Sequence, residues 1–242
     1  MKGIYDIHCH IVPGVDDGAK NLKMSVGMLQ KEYDDGVRNI IATPHFRYDM
    51  FEPSLELVKK QFLRLRKAAA EIGDDGIQMY LGCELHSSMD MTECLKNGER
   101  LTMAGSRYVL TEFRTSDEKS YIRERLQALI RNGYYPIVAH VERYRSVLKS
   151  GVEFIDELRD MGAYIQMNAD SISGVEGWGM KRFCKKVMKQ DLLHFVGSDA
   201  HNTGDRKPQM GRCAQHMEKT MGREYADKIL IRNPREIIEE GR

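Results

Sequence analysis

Histidines and acidic residues end several short apolar segments of this chain, and both residue types bind divalent metal ions. The amino-terminal segment runs Asp6-Ile7-His8-Cys9-His10. Because successive side chains of a strand point to opposite faces, the spacing predicts that Asp6, His8 and His10 share one face. Ile7 and Cys9 should take the other face. Two imidazoles on one face form a chelating pair, but an isolated pair of this kind also occurs by chance on protein surfaces.

Further candidate ligands follow at the ends of five later segments. They are His45 in Thr-Pro-His, Glu84 in Gly-Cys-Glu, Glu112 in Thr-Glu, His140 in Ala-His, and Asp199 and His201 in Ser-Asp-Ala-His. From His10 to Asp199 the steps are 35, 39, 28, 28 and 59 residues, about one strand–helix unit each and two for the last. In a parallel barrel all strands open at their carboxyl ends onto one rim, so these residues should converge in a single metal-binding pocket.

Seven short apolar segments rich in β-branched residues are predicted to be the strands that carry these ligands. They are Ile4–His8, Arg38–Thr43, Ile77–Cys83, Tyr108–Glu112, Tyr135–His140, Ala163–Asn168 and His194–Ser198. Every strand except the sixth, which ends at Asn168, finishes with or next to a group that can bind a metal. The sixth strand therefore has no predicted role in the site.

Longer amphipathic stretches alternate with these strands and are predicted to be helices. They are Leu22–Asp35, Ser54–Ile72, Asp90–Lys96, Glu118–Arg131, Val152–Met161, Lys181–Gln190 and Pro208–Met221. Gly36, Gly133 and Gly162 each follow a helix, where a left-handed cap is expected. Strict alternation implies a parallel sheet, and seven units without a break in composition favour one closed or nearly closed barrel. We therefore expect an α/β fold in which residues 1–242 form a single domain.

The composition limits the classes of function. Lysine plus arginine number 37 and aspartate plus glutamate 36, and a net charge of +1 argues against a dedicated nucleic-acid binder. Charged residues make up 30% of the chain, and no apolar run approaches the roughly 18 residues of a membrane span, so we expect no membrane insertion. Five cysteines without a CxxC pair, and histidines where a signal peptide would be apolar, favour a cytoplasmic location with reduced thiols.

In combination, the motifs DIHCH…DDG, TPH, GCE, TEF, AHVER and SDAH resemble the PHP (polymerase and histidinol phosphatase) superfamily. The form IHCHIVPGVDDGAKN with AHVERY and SDAHN is similar to bacterial manganese-dependent tyrosine-protein phosphatases of capsule and exopolysaccharide systems, from Asp6 to the end of the chain. The resemblance implies a distorted (β/α)7 barrel of the PHP type and a centre of three Mn²⁺ ions. The implied ligands are His8, His10, Asp17, His45, Glu84, Glu112, His140, Asp199 and His201. Asp17 is preferred to Asp16 because the second acid of the DDG motif is the ligand in that pattern.

Five imidazoles and four carboxylates suit Mn²⁺ or Fe²⁺, with Co²⁺ or Zn²⁺ as alternatives, whereas a structural zinc site would contain thiolates. Three divalent ions and four carboxylates leave a charge of +2, which matches a phosphate monoester dianion. Arg143 and Arg206 follow His140 and His201 on rim loops and can bind phosphate oxygens in bidentate fashion, a role that the resemblance also implies. We expect metal-activated hydroxide to attack the phosphorus.

The resemblance implies hydrolysis of phosphotyrosine on a protein, and it implies a bacterial tyrosine kinase as partner. A histidinol-phosphate-type phosphatase, a PHP nuclease and an inactive metal-binding scaffold are the alternatives. The neutral charge weighs against the nuclease, and the intact ligand set weighs against the scaffold. No nucleic-acid partner is expected.

Three further features admit simpler interpretations. Cys94 and Arg100 have the C-x5-R spacing of cysteine-dependent phosphatases. Glu93 precedes the cysteine and Glu99 lies inside the loop, and these acids would repel phosphate, so the match is interpreted as coincidence. Cys9 and Cys83 should be small core residues. The aromatic segment 46–51 could hold a phosphotyrosine ring or simply plug the rim.

Overall fold

The strands of the protein are short, parallel and buried. A computed structural model describes all 242 residues. Its strands are β1 (Ile4–Cys9), β2 (Val37–Ala42), β3 (His45–Phe46), β4 (Gln78–Leu81), β5 (Glu84–His86), β6 (Tyr108–Glu112), β7 (Tyr135–Val138), β8 (Tyr164–Asn168) and β9 (Phe195–Gly197). They form two parallel sheets, with strand orders β1-β2-β4 and β3-β5-β6-β7-β8-β9.

Helices follow most of these strands. They are α1 (Leu22–Asp34), α2 (Leu55–Ala70), α3 (Met91–Lys96), α4 (Lys119–Arg131), α5 (Arg145–Ser150), α6 (Val152–Asp160), α7 (Ala169–Ser173), α8 (Trp178–Lys189), α9 (Met210–Met221), α10 (Arg223–Asp227) and α11 (Asn233–Glu240). The seven predicted helices are all present, and the short helices α5, α7, α10 and α11 were not predicted. None of the helices is long and apolar enough to cross a membrane.

Local sequence explains how the longest helices begin and which side they bury. The Asn21 side chain accepts a hydrogen bond from the backbone N–H of Met24 at the start of α1, at 3.0 Å. Ser54 caps α2 in the same way. These caps satisfy backbone donors that have no partner inside the helix. The buried stripe of α2 consists of Val58, Phe62, Leu65 and Ala69, at helical spacing.

Two of the seven predicted strands are each interrupted, so nine strands are observed. The strand predicted as Arg38–Thr43 stops at Ala42 and resumes at His45, because Pro44 has no N–H to continue the ladder. The strand predicted as Ile77–Cys83 stops at Leu81 and resumes at Glu84. Backbone hydrogen bonds from Gly82 to Ala42 (2.8 Å) and from Glu84 to Pro44 (3.1 Å) join the two interruptions. These two interruptions bring the side chains of His45 and Glu84 next to each other.

The first and last strands meet at their carboxyl ends. The backbone N–H of Asp199 donates to the carbonyl of His8 at 2.7 Å, and the N–H of His10 donates to the carbonyl of Ala200 at 2.9 Å. The parallel strands therefore curl round until β9 lies beside β1. This curl brings the residues after β9 next to those of β1.

Strand β1 departs from simple alternation. Its pairing with β2 shifts register between Asp6 and Cys9. Tyr5 and Ile7 pack in one core cluster, as alternation requires, but Cys9 packs in another, larger cluster. The prediction that Asp6 shares a face with the two histidines is wrong, because the carboxylate of Asp6 lies next to Cys9 and Glu32 instead. The irregularity supplies the extra rotation that turns His8 away from Asp6.

The rest of the core follows the expected pattern. Cys9 and Cys83 are both buried among apolar side chains, as predicted. Gly36, Gly133 and Gly162 have φ values of 91°, 82° and 100°, which confirms the predicted left-handed caps. The core cluster of Tyr5 and Ile7 also receives side chains from α11, so the carboxyl-terminal helix contributes to the core.

Candidate metal centre

A polar cavity of about 250 Å³ opens at the carboxyl ends of the strands. It is lined by Asp17, His45, Arg47, Met50, Phe51, Glu84, Glu112, His140, Arg143, Asp199 and Arg206. All nine predicted ligands lie in or directly beneath this cavity, although they come from segments spread over the whole chain. The convergence predicted from the strand ends is thus present in the structure.

Glu84 lies at the centre of the site and is fully buried. Its Oε2 lies 2.9 Å from His45 Nδ1 and 3.2 Å from the Nε2 atoms of both His8 and His10. Its Oε1 lies 3.0 Å from His140 Nε2. Burial opposes ionisation of the carboxyl, but the charges of His8 and His45 outweigh burial and hold the pKa of Glu84 well below its usual range.

A second group of side chains lies at the outer side of the cavity. Asp17, His45, His10 and His201 each place a ligand atom within 4.8 Å of the others. The interaction with His201 lowers the pKa of Asp17 to about 2. Asp16 does not point into this group. Its Oδ2 instead lies 2.9 Å from His10 Nδ1 and accepts from the backbone N–H of His45 at 2.9 Å.

Asp199 connects the histidines to the two arginines. Its Oδ1 lies 3.4 Å from His10 Nε2 and 3.7 Å from His8 Nε2. Arg143 Nη1 donates to its Oδ2, and Arg206 Nη2 donates to its Oδ1 at 3.3 Å. Both predicted phosphate-binding arginines therefore point into the cavity, with their charges directed at the buried ligand group.

Glu112 forms a third group with His45 and Glu84. Burial raises the pKa of Glu112, and the neighbouring charge of Glu84 raises it further. His140 offsets this effect only partly, with 3.9 Å between its Nε2 and Glu112 Oε1. Because the positive charges around Glu84 and Glu112 do not fully balance these two adjacent carboxylates, a positive ion would bind strongly between them.

The sixth strand unit, which carries no predicted ligand, orients the ligands of the others. Gln166 Oε1 lies 3.2 Å from His8 Nδ1 and accepts from the backbone N–H of His140 at 2.8 Å. Its amide donates to Asn168 Oδ1, and Asn168 in turn donates to Asp199 Oδ2, each at 2.9 Å. Such outer partners fix the tautomer and direction of ligating imidazoles. The sequence prediction missed them because neither amide is itself a typical ligand.

Two of the predicted ligand positions are held in strained backbone conformations. His140 has φ 30° and ψ 55°, and Asp199 has φ 50°, in the left-handed region that residues with side chains rarely adopt. Strain of this kind costs about 1–3 kcal/mol per residue and persists only where the surroundings enforce it. The hydrogen bond that Gln166 accepts from His140 and the one that Asn168 donates to Asp199 supply such enforcement.

The aromatic segment forms one wall of the cavity. Phe51 stacks on the ring of His45 with 5.2 Å between centroids, and Met50 lies beside it in the wall. Phe46 is buried in the core instead. Arg47, which sequence reasoning missed, also lines the cavity, and its place two residues after His45 was an available indication. The segment therefore has one aromatic residue in the core, Phe46, and another that lines the cavity, Phe51.

The C-x5-R loop lies outside this cavity and lacks the features of a nucleophilic thiol. Burial raises the pKa of Cys94. Arg100 packs over the ring of Phe46, with 3.2 Å from its guanidinium carbon to the centroid, and does not face the thiol as a phosphate clamp. The structure agrees with the interpretation of this motif as coincidence.

The donor set fits divalent metal ions. Glu112 Oε2 and His140 Nδ1 are buried without a hydrogen-bond partner. His45 Nδ1, Glu84 Oε2 and His201 Nε2 are also buried, and each lies within 3.4 Å of an opposite group without the geometry of a hydrogen bond. Leaving so many buried polar atoms without partners is costly unless cations occupy the space between them. No thiol lines the cavity, and burial raises the pKa of Cys83 to about 12 and that of Cys9 well above its usual range.

Known proteins share this sequence and structure. A family model described as capsular polysaccharide synthesis, CpsB/CapC, matches residues 4–239. Tyrosine-protein phosphatase CpsB of Streptococcus pneumoniae is 37% identical over 238 residues, which cover 96% of this chain and 97% of that protein. Tyrosine-protein phosphatase YwqE of Bacillus subtilis strain 168 is 30% identical over 234 residues, covering 94% and 91%.

A solved structure gives the same result. It comes from work on YwqE of Bacillus subtilis and CpsB of Streptococcus pneumoniae, described as unique metal-dependent tyrosine phosphatases. The TM-score is 0.90 at 29% identity, and the match covers 98% of this chain and 95% of the other. The curled α/β fold is therefore shared along the full length.

Proposed function

The chain belongs to the CpsB/CapC family, and we propose that it is a metal-dependent protein-tyrosine phosphatase. The observation that carries the proposal is the cavity in which five imidazoles and four carboxylates meet three arginines. This combination suits cleavage of a phosphate monoester, and it uses no thiol. Relatives named as tyrosine-protein phosphatases along nearly the whole chain support phosphotyrosine as the substrate.

We propose that the metal ions are Mn²⁺, three per chain, with Fe²⁺, Co²⁺ or Zn²⁺ as possible replacements. The nine residues that would hold them are His8, His10, Asp17, His45, Glu84, Glu112, His140, Asp199 and His201. When bound, such ions make a hydroxide nucleophile available near neutral pH and withdraw charge from the phosphoryl oxygens. Three overlapping groups of these side chains, which share His10, His45 and Glu84, place their ligand atoms within 4.8 Å of one another.

The chain's own cations would bind the phosphate. Arg143 and Arg206 already point into the cavity and pair with Asp199, which is also a proposed ligand. Arg143 also contacts Glu176, and Arg206 also contacts Asp17. With Asp17 and Asp199 holding metal ions, the planar guanidinium groups would be available for bidentate binding of the phosphate oxygens. Charge that develops on these oxygens during in-line displacement is stabilised by donors already in place.

The aromatic wall would hold the phenyl ring of the substrate. Phe51 and Met50 offer apolar surface at the mouth of the cavity, and Phe51 is itself held by stacking on His45. The leaving group is a phenolate, whose conjugate acid has a pKa of about 10, so it departs more readily than an aliphatic alkoxide. Hydrolysis of phosphotyrosine therefore requires less proton donation than hydrolysis of an alkyl phosphate.

The wider setting follows from the family. We propose that the substrate is a bacterial tyrosine kinase that controls capsule or exopolysaccharide synthesis, and that the enzyme acts in the cytoplasm. We also propose that the two sheets act as one distorted (β/α)7 barrel of the PHP type and that residues 1–242 form a single domain.

The test measures phosphate release by chelator-treated protein as Mn²⁺ is returned. The substrates are a phosphotyrosine peptide and histidinol phosphate, assayed side by side. We expect release from the peptide that depends on Mn²⁺ and is lost in His45→Ala. Release from histidinol phosphate alone would keep the metal centre and overturn the substrate. Release that persists in full after chelation would overturn the metal-dependent mechanism.

A further inference from the structure

A second cavity of about 360 Å³ adjoins the candidate metal centre. It is lined by Arg47, Tyr48, Asp49, His86, Ser87, Ser88, Arg114, Asp117 and Tyr121, and we call it the side groove. Arg47 lines both cavities, so the two are neighbours. His86 pairs with Glu112 across the strands β5 and β6, which places the groove directly beyond the proposed ligands.

The side groove contains two arginines without counterions. Arg143 and Arg206 pair with Asp199, whereas neither Arg47 nor Arg114 forms an ion pair or a side-chain hydrogen bond. Arg47 is half-buried, so its charge is only partly solvated, whereas Arg114 is exposed at the edge of the groove. A partly desolvated guanidinium binds a carboxylate or phosphate more strongly than an exposed one does.

Two buried polar groups in the groove also lack partners. Ser87 is only 5% exposed, and its Oγ has no hydrogen-bond partner, although its backbone N–H donates to the carbonyl of Glu112 at 2.8 Å. His86 Nε2 is buried without a partner as well. A hydroxyl and an imidazole N–H are donors of the kind that an anion requires, and buried donors without partners are rare in folded proteins.

The acidic residues of the groove do not cancel this arrangement. Asp117 is engaged at the edge, where its Oδ2 accepts from the backbone N–H of Arg114 at 2.9 Å. Asp49 is exposed on the turn between the two cavities. Neither carboxylate forms an ion pair with an arginine of the groove, so the two guanidinium groups remain available.

We propose that the side groove binds a second anionic side chain of the substrate protein, close in sequence to the phosphotyrosine being hydrolysed. This inference rests on the proposed function and adds a determinant of substrate choice to it. The bound group is a carboxylate or a second phosphotyrosine phosphate, because both present oxygen acceptors to Arg114, Arg47 and Ser87. Shared use of Arg47 places this group next to the reacting phosphate.

The test compares phosphotyrosine peptides that differ only in one flanking residue. One set carries glutamate in turn at each of the four positions on either side of the phosphotyrosine, and a matched set carries glutamine. A third set carries a second phosphotyrosine or an unmodified tyrosine. The enzymes are the metal-loaded wild type, Arg114→Gln and the control Arg131→Gln, which removes an exposed arginine at the far end of α4.

We expect an anionic residue on one side of the phosphotyrosine to raise kcat/KM about fivefold over its neutral match, as one partly screened ion pair would. Arg114→Gln should abolish this increase and leave kcat/KM for the neutral peptides and for phenyl phosphate within about twofold. Arg131→Gln should keep the increase. High salt should weaken it, because the charges are partly exposed. The glutamate and phosphotyrosine sets distinguish the two sources of the anion.

Two results would overturn the inference. Neutral peptides hydrolysed as fast as acidic ones at every position would show that the groove has no anionic ligand. An acidic preference that Arg114→Gln leaves intact would assign the preference to another surface. Either result leaves the proposed function standing, because the neutral peptides are still hydrolysed, whereas failure to hydrolyse any peptide would remove both.

Discussion

Replacement of Gln166 by methionine tests whether the orienting side chains beneath the candidate metal centre determine its activity. Gln166 is fully buried and is not a proposed ligand. Methionine keeps a similar length and volume but removes both acceptors and donors. The change leaves His8 Nδ1, the backbone N–H of His140 and Asn168 Oδ1 without their present partner.

The expected magnitude follows from these lost contacts. An unpaired buried donor costs about 1–3 kcal/mol, so His8 and His140 together should lower the free energy of unfolding by about 2–6 kcal/mol. Loss of an outer partner of a ligating histidine lowers metal affinity or activity by about 10–100-fold. Gln166→Glu should lose less metal affinity, because a carboxylate still accepts from both His8 and His140, although it buries a charge and places an oxygen against Asn168 Oδ1.

The assay measures turnover of a phosphotyrosine peptide across a Mn²⁺ titration, together with urea unfolding of the same samples. Gln127→Met is the matched control, since Gln127 is exposed on α4. We expect Gln166→Met to require more Mn²⁺ for half-maximal activity, or to reach a lower maximum, with Gln166→Glu in between. Wild-type Mn²⁺ dependence and turnover in a folded Gln166→Met protein would refute the orienting role.

Three further predictions concern packing, pH and metal removal. A Cβ at Gly197 would lie 2.4 Å from His8 Cβ, so Gly197→Ala should lower activity and cost about 1–3 kcal/mol of stability. The control Gly179→Ala should do neither, because a Cβ there meets nothing within 4 Å. Thermal melts and activity assays check both variants. Burial lowers the pKa of His194 to about 4 from an ordinary 6.5, and its Nδ1 accepts from the backbone N–H of Ile165 at 3.1 Å. Below pH 6.5 the unfolded chain binds more protons at His194 than the folded chain does, so the stability that neutral His194 contributes is full above pH 6.5 and is lost as pH falls toward 4. His194→Asn should therefore reduce the loss of unfolding free energy between about pH 7.5 and about pH 5, measured by urea unfolding. Mn²⁺ at about 100 times its dissociation constant should stabilise the folded chain by about 2.7 kcal/mol per site, and an unchanged melting temperature after chelation would contradict this.

The ends of the strands were the most predictable part of the molecule. A histidine or acid at the carboxyl end of a parallel strand can point only to one rim, so residues as distant as His10 and Asp199 could be assigned to one pocket from their positions in the sequence. The helices were predictable for a similar reason, since the buried stripe of α2 repeats with the period of a helix.

What sequence reasoning missed depends on backbone irregularity and on side chains that act indirectly. The register shift in β1 places the side chains of Asp6 and His8 on different faces, and a prediction from simple alternation cannot include such a shift. Gln166 and Asn168 are ordinary polar residues in sequence, and only their hydrogen bonds reveal their role. The short helices at the carboxyl end, such as α10, lack enough turns to produce a periodic pattern.

The central claim is that a buried metal centre, and no thiol, hydrolyses phosphotyrosine. The most direct measurement compares phosphate release from one phosphotyrosine peptide by Glu84→Gln and Cys94→Ser at the same saturating Mn²⁺ concentration. Glu84 contacts four imidazoles of the centre, whereas Cys94 is buried outside the cavity. We predict that Glu84→Gln loses at least about 100-fold in kcat/KM while Cys94→Ser keeps the wild-type value. Full activity in Glu84→Gln, or its loss in Cys94→Ser, would contradict this account.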